Sequence, residues 1–437
     1  MRIGIEICDD KNDNMDFTHL ENGNPGIGGI YYQMLLMGDS LIKYWKNKYE
    51  IVYYHYNSSN KYPYGANDVL CEDNLDLIDK ARSGKTDYLF VNCNKNKDWY
   101  KQLAKSNQKV LVRAGCYLDK SEVDYIMQTD NVVRVIAVAS EEYDYYRDHD
   151  IIDRMICVEN SIAYDDVEIR DNNAINSHKV AYIGSLVPQK GFEYLAKAWP
   201  EVIKKIPDAH LHVIGSGKLY NSNQKLGKYE LAEEEFEKSF IKYLTDDNGQ
   251  IIPSVTFHGV VGEGKGEILR DVTVGVVNPT ALTECCCTSS LDFESRGIPV
   301  VTCARYGMPS TVINNVTGLT YKKLSTSKLA KRIIQLLSDR ILNEQLSGGA
   351  ADFAKYFDRK NMAIIWDREL EMLANNEPCI YRKANGNYYN DCKWFKVINA
   401  FLRRIMHLTF LPTSLDYKEC YYNLGRIIMG VVRKLMG

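Results

Sequence analysis

Long hydrophobic runs are missing from this 437-residue chain. No stretch of about 18 consecutive apolar residues occurs, so a membrane-crossing helix is not expected. The opening MRIGIEICDD reaches acidic residues before the apolar centre of a secretory leader could form, and the chain is expected in the cytoplasm. Neither sign of charge dominates. Lys and Arg number 54 against 57 Asp and Glu, a formal net charge of −3 that gives the whole molecule no nucleic-acid signature. Matched CxxC pairs are absent as well. Of the 12 cysteines only Cys285, Cys286 and Cys287 cluster, and adjacent thiols bridge one another poorly. A disulfide framework or zinc site is therefore not expected, and buried thiols in a reducing compartment are.

The 45% hydrophobic and 25% charged residues are ordinary for a globular chain and suffice for two or three cores. Two α/β halves are legible. In the first, RIGIEI reads as a strand, NGNPGIGGIYYQMLLMGDSLIKY as a glycine-rich loop entering an amphipathic helix, and YEIVYYHY as the next strand. TDYLFVNC, QKVLVRAG and VVRVIAVAS follow as strands between polar, helix-like segments. After the Asn- and Asp-rich bridge ICVENSIAYDDVEIRDNNAINSH the grammar restarts with KVAYIGSL, HLHVIGSG, SVTFHGVV, DVTVGVVNP and GIPVVTC as strands. Strands alternating with helices predict parallel, doubly wound sheets. Lys225 to Gln250 reads as a helical insertion, and Ser325 to Ala374 as helices covering the second sheet.

Three stretches carry chemistry. GSLVPQKG (Gly184–Gly191) ends a strand and starts a helix near Lys190, where a cation opposes the helix macrodipole. A bound anion between Lys190 and the helix end would reconcile them, and a solvated surface lysine is the plainer reading. Glu284 follows the strand DVTVGVVNP, at the sheet edge where open α/β folds bind ligands, with Asp292 eight residues on. Between them the amides of Cys287, Thr288 and Ser289 reach a helix start that could cradle a diphosphate. Asp292 could accept from a ribose diol, or could close a capping box with Ser289 as N-cap. Gly28 and Gly29 would let backbone approach a phosphate closely.

The series GSLVPQKG, HVIGSG, VTFHGVV, VGVVNPT, E-x7-D, GIPVV and VTGLTY resembles the family 4 glycosyltransferases of the GT-B fold, of the bacterial surface-polysaccharide type. The resemblance is strongest from Val180 to Tyr321, and over the first half it rests on GIGGIYYQMLLMGDSL, VIAVASEEYDYY and VENSIA. It implies an α/β protein of two Rossmann-like doubly wound domains facing a cleft, an acceptor domain over 1–165 and a donor domain over 175–375. It implies a retaining, metal-independent glycosyltransferase with a nucleotide sugar, UDP- or GDP-linked, as co-substrate and no other cofactor. The acceptor would be a saccharide or lipid-linked saccharide in surface polysaccharide synthesis. By the same resemblance Glu284 contacts the donor sugar, Asp292 the ribose, Lys190 the departing diphosphate, and Gly28 and Gly29 approach it from the other domain. Gly297 and Pro299 fix the register.

Several positions depart from the family. Ser185 stands where an arginine is usual, Cys285-Cys286-Cys287 replace Gly-Phe-Gly, Ser161 replaces Gly, and Asp292 is one methylene shorter than Glu. Arg113 stands where the family often has a histidine, either as a substitute clamp cation or as an exposed structural residue. These changes also fit a catalytically weak or regulatory relative. A dinucleotide-dependent oxidoreductase is the other alternative, but GIGGIYY and GSGKLY both lack the third glycine of G-x-G-x-x-G.

From Cys379 to Gly437 ten Lys and Arg face three Asp and Glu. WFKVINAFLRRIMHL carries apolar residues at Trp394, Val397, Ile398, Phe401, Leu402, Ile405 and Leu408, with Lys393, Lys396, Arg403 and Arg404 on the other side. YYNLGRIIMGVVRKLMG repeats the pattern with Arg426, Arg433 and Lys434. This 379–437 tail fits either a basic amphipathic contact, over 393–437, with the inner face of a membrane or packing on the acidic main body.

Overall fold

The computed structural model describes residues 1–11, 13–93, 95–163, 167–218, 225–262, 264–379 and 393–421. Two all-parallel sheets organise them. The first contains β1 (Arg2–Ile7), β2 (Glu50–His55), β3 (Asn67–Leu70), β4 (Tyr88–Asn92), β5 (Val110–Arg113), β6 (Val132–Ala137) and β7 (Met155–Cys157). Its order is β3-β2-β1-β4-β5-β6-β7. The second contains β8 (Lys179–Ile183), β9 (His210–Ile214), β10 (Val255–Gly259), β11 (Val274–Val276), β12 (Val300–Cys303) and β13 (Gly318–Tyr321), ordered β10-β9-β8-β11-β12-β13. Both sheets are doubly wound, as expected. β4 and β5 are buried at every position, because helices cover both faces of a parallel sheet.

The bridge between the halves is shorter than its composition suggests, since Met155–Cys157 already pairs with β6. The helices flanking the sheets and the tail include α1 (Gly29–Tyr44), α2 (Phe192–Lys205), α3 (Lys265–Leu269), α4 (Thr288–Glu294), α5 (Thr326–Ser338), α6 (Arg340–Ala354), α7 (Arg359–Ala374) and α8 (Lys393–Ala400). The insertion forms one helix, Glu234–Ile241, with turns in the rest of its described part. Helices α5 and α6 pack on the second domain. In contrast, α7 crosses back to the first, which corrects the expectation that all of Ser325 to Ala374 covers the second sheet. Its Trp366, Leu370 and Leu373 join the core of Ile3, Ile5 and Leu35, because the apolar stripe of α7 matches that of α1. Lys48 ties this junction by ion pairs of 2.6 Å to both Asp367 and Glu371.

The tail packs on the main body, and its basic side faces inward. Lys396 is buried with its ammonium 4.2 Å from the Tyr145 ring centroid, Arg403 reaches Asp150 at 3.2 Å, and Arg404 pairs with Asp153. Asp148, itself buried, accepts from Asn399 Nδ2 at 2.7 Å, Ser414 N at 2.6 Å and Ser414 Oγ at 2.8 Å. The acids of residues 144–153 thus attract the tail's cations, and Trp394, Ile398, Phe401 and Ile405 are left facing outward. No helix among the described residues is long and apolar enough to cross a membrane. The second basic segment, with Arg426, Arg433 and Lys434, lies outside the described residues.

Candidate active site

In each sheet the strand order reverses beside the first strand of its domain, between β1 and β4 and between β8 and β11. Such reversals open a crevice at the carboxyl ends of the strands, where open α/β sheets take ligands. The two crevices face each other across a cleft of about 1100 Å³. The loop after β1 contributes Gly28 and Gly29, the loop after β8 contributes Ser185 and Lys190, and the loop after β11 contributes Glu284 through Ser289. Arg113 and Asp292 line the same cleft, so all the candidate residues meet in one place.

Lys190 closes a 3₁₀ turn, Pro188–Lys190, ahead of α2. Gly191 behind it has φ +65°, and a Cβ there would fall 2.5 Å from Thr280 Cγ2, so only glycine lets the two loops pack. That packing delivers the Lys190 ammonium to Glu284, with which it forms an ion pair. Glu284 Oε1 also accepts from Asn278 Nδ2 at 3.1 Å and is 9% exposed, so it is not a loop carboxylate in water. Nor is Lys190 a merely solvated lysine. The anion that offsets the macrodipole of α2 is supplied here by the protein itself. Between Asn278 and Thr283 three non-glycine residues hold positive φ: Asn278 at 26°, Ala281 at 58° and Thr283 at 58°. Strain of this kind persists only where the surroundings enforce it, and it gathers at ligand sites.

Helix α4 begins at Thr288 with Cys287 as N-cap and no side-chain cap, so the capping box with Ser289 does not form. Asp292 instead accepts from Lys265 Nζ at 2.6 Å. Lys265, at the start of α3, is the site residue that sequence reasoning missed, although its position just past the β10 strand was a usable signal. With seven residues, α4 has little macrodipole, so it offers individual amides rather than a field. Cys285 and Cys286 pack with Val138, Ile162, Leu291 and Phe357 in an apolar seam between the domains, and Cys287 joins the second core. Burial pushes all three thiols up, which suits packing and not redox chemistry. Gly28 has an ordinary φ of −53°, and a Cβ on Gly29 would meet nothing within 4 Å. The protein does not fill that space, which opens on the cleft.

Arg113 is not an exposed structural residue. It is 4% exposed and donates to Asn160 Oδ1, while Asn160 Nδ2 donates to Cys286 O at 3.0 Å. Next in the chain, Ser161 N donates to Gln33 Oε1 at 2.7 Å and Gln33 Nε2 returns a bond to Ser161 O at 2.8 Å. The hinge is thereby fixed to α1 on one side and to the cysteine loop on the other.

With this geometry, likeness to known proteins becomes interpretable. Residues 177–339 match the family model described as "Glycosyl transferases group 1". The poly(glycerol-phosphate) alpha-glucosyltransferase of Bacillus subtilis (strain 168) is 24% identical over 190 residues, 43% of this chain and 25% of that protein. A GDP-mannose-dependent monoacylated alpha-(1-6)-phosphatidylinositol monomannoside mannosyltransferase of Corynebacterium glutamicum is 27% identical over 199 residues, 46% of this chain and 47% of its own. The chain therefore spans from a quarter to about half the length of these curated relatives. Sucrose-phosphate synthase from Thermosynechococcus elongatus superposes with a TM-score of 0.66 at 14% identity, over 86% of this chain and 100% of that one. Anabaena Alr3699/HepE, solved with UDP and glucose, gives 0.61 at 13% identity over 85% and 99%. The fold is GT-B, and within it the second domain is similar to the glycosyltransferases of group 1.

Proposed function

We propose that this chain transfers a sugar, with retention, from a UDP- or GDP-linked donor to a saccharide or lipid-linked saccharide acceptor in the synthesis of a surface polysaccharide. The observation that carries the reading is the Lys190–Glu284 pair, set between loops that leave the two strands flanking the switch point of the second sheet. A pre-placed ammonium can follow charge onto a departing diphosphate, and groups of this type each contribute a few kcal/mol to leaving-group stabilisation. Glu284, released as Lys190 turns to the diphosphate, is then free to accept from sugar hydroxyls. Asp292, held by Lys265, meets the ribose. Ser185 and the amides of Cys287, Thr288 and Ser289 line the phosphate path, which Gly28 and Gly29 approach from the first domain. The lysine and amides supply the charge that a metal would otherwise bring.

Two of the curated relatives bear names of enzymes acting on phosphatidylinositol mannosides or on poly(glycerol phosphate), which supports an acceptor at or near a membrane. The outward apolar residues of the tail would make peripheral contact with the inner face of the cell membrane. The test is thermal unfolding of the full chain against a panel of UDP-, GDP-, ADP- and CMP-sugars. One nucleotide class should stabilise the fold by about 2.7 kcal/mol at a hundredfold excess over Kd. Lys190→Ala should abolish most of that gain and lower transfer by about a hundredfold or more. Absence of any shift across the panel overturns the proposal.

A further inference from the structure

The guanidinium of Arg113 is a buried cation without a counterion. It donates to Asn160 Oδ1, a neutral amide, its Nε has no hydrogen-bond partner, and among the described residues it forms no ion pair with a carboxylate. The acid whose charge it would feel most is Glu142, which is wholly buried. Burial raises that carboxyl well above its usual range, and no ion pair joins it to the guanidinium; its Oε2 accepts instead from Val138 N at 2.6 Å. The neighbouring thiols of Cys93 and Cys286 are likewise pushed up and uncharged. Burial lowers Arg113 itself only to about 10, and it remains a cation at neutral pH. An isolated charge taken out of water is strongly unfavourable unless something pairs with it. Arg113 lines the interdomain cleft, so the missing partner has a way in.

Its position says which part of a ligand would supply that partner. Arg113 ends β5 in the first domain and is linked through Asn160 to the carbonyl of Cys286, two residues past Glu284. Without a donor, Glu284 and Lys190 neutralise each other on the opposite wall, and in the donor pose Glu284 is turned to sugar hydroxyls. We infer that Arg113 forms an anion subsite at the sugar end of the cleft, taking a carboxylate or phosphate carried by the transferred sugar or by the acceptor group beside it. The inference rests on the proposed placement of the donor, with the diphosphate at Lys190 and the sugar at Glu284. A planar guanidinium with free N–H groups favours a carboxylate or phosphate over a neutral hydroxyl both in charge and in geometry. The substrate class is thereby narrowed to an acidic saccharide: a hexuronate donor, or a neutral donor used on an acceptor bearing a uronate or a phosphate.

Two arms of one binding experiment on the full chain separate these sources. In the donor arm, calorimetry compares UDP-glucuronate with UDP-glucose, and GDP-mannuronate with GDP-mannose. In the acceptor arm, with the tighter neutral nucleotide sugar present, it compares a glucuronate-terminated with a glucose-terminated disaccharide, and glycerol 3-phosphate with glycerol. In one arm the anionic member should bind roughly tenfold or more tightly than its neutral counterpart. That ratio should collapse in Arg113→Gln and survive in part in Arg113→Lys, with circular dichroism showing that each variant is folded. If Arg113→Gln does not fold, the Arg113→Lys ratio and the wild-type preference decide. Equal binding of anionic and neutral members in both arms, or a preference that persists in Arg113→Gln, overturns the inference while leaving the proposed function intact. If no nucleotide sugar binds the wild-type chain, both fall together.

Discussion

Lys265 donates to the carboxylate of Asp292 at 2.6 Å, from a side chain 9% exposed to one 28% exposed. The pair joins α3 to α4 within the second domain and holds the acid that, in the proposed donor pose, receives the ribose. Removing the ammonium should cost stability, because a half-buried carboxylate loses its partner, and should also cost affinity, because the carboxylate loses its orientation. We expect Lys265→Met to destabilise by about 1–2 kcal/mol and to weaken nucleotide binding roughly tenfold. A double-mutant cycle with Asp292→Asn, read by chemical denaturation and calorimetry, checks this. Strict additivity of the two substitutions would show that the pair is incidental.

Glu159 sets a pH dependence at the hinge. It is buried, with the Tyr356 hydroxyl as its polar neighbour, and burial raises it from 4.5 to about 8. The folded state therefore keeps a proton that the unfolded chain has released. Its stabilising contribution is fully present below about 4.5 and is lost as pH rises through 8. Glu159→Gln should remove that loss, leaving the variant more stable than the wild type at pH 9, by up to roughly 3–5 kcal/mol. The two proteins should converge toward pH 5. Urea denaturation at pH 5, 7 and 9 measures the difference, and parallel profiles would refute the assignment.

The cysteines should separate cleanly in reactivity. Cys116 lines the cleft, half-buried, and its thiol is lowered chiefly by the neighbouring Cys93 thiol, with Lys190 adding a favourable charge. Cys285, Cys286 and Cys287 are buried and raised. Iodoacetamide at pH 7.5 should therefore alkylate Cys116 well ahead of all three, because the thiolate is the nucleophile. A bound nucleotide sugar should slow that reaction by covering the cleft. Peptide mass spectrometry with and without donor gives both rates, and early labelling within 285–287 would contradict the packing role of the cysteine loop.

Much of this was legible in the sequence for a physical reason. Parallel strands buried on both faces, such as β4 and β5, must be apolar throughout, and loops at their carboxyl ends must carry the ligand groups. Lys190, Glu284 and Asp292 could therefore be named as candidates from their places at strand ends, while plainer readings of each stood beside them until the family resemblance was weighed. What escaped was pairing between segments distant in the chain. Lys265 and Asp292 are 27 residues apart, and Lys190 and Glu284 are 94 apart. No periodicity reports that the two members of a pair will neutralise each other. The destination of α7 was hidden likewise, since an amphipathic stripe says that a helix packs but not on which sheet. β3 and β7 were missed because one is a polar edge strand and the other has three residues.

The orientation of the tail decides which kind of membrane surface it can meet. Lys396, Arg403 and Arg404 are occupied by Tyr145, Asp150 and Asp153, so they add little attraction toward anionic lipid. Trp394, 78% exposed, and Ile398, Phe401 and Ile405 beside it present an apolar strip instead. Membrane contact by the described part of the tail should then rest on the hydrophobic effect and interfacial aromatics, and should extend to uncharged phosphatidylcholine vesicles. Transferring two large side chains contributes on the order of 2–4 kcal/mol when only part of each is inserted. Trp394→Ser combined with Phe401→Ser should therefore reduce vesicle partitioning of the full chain at least roughly tenfold. The substituted side chains face outward, so the thermal midpoint should stay close to that of the wild type. Co-sedimentation with neutral vesicles measures the partitioning. Binding that requires anionic lipid, or that ignores both substitutions, would place the membrane contact elsewhere in the chain.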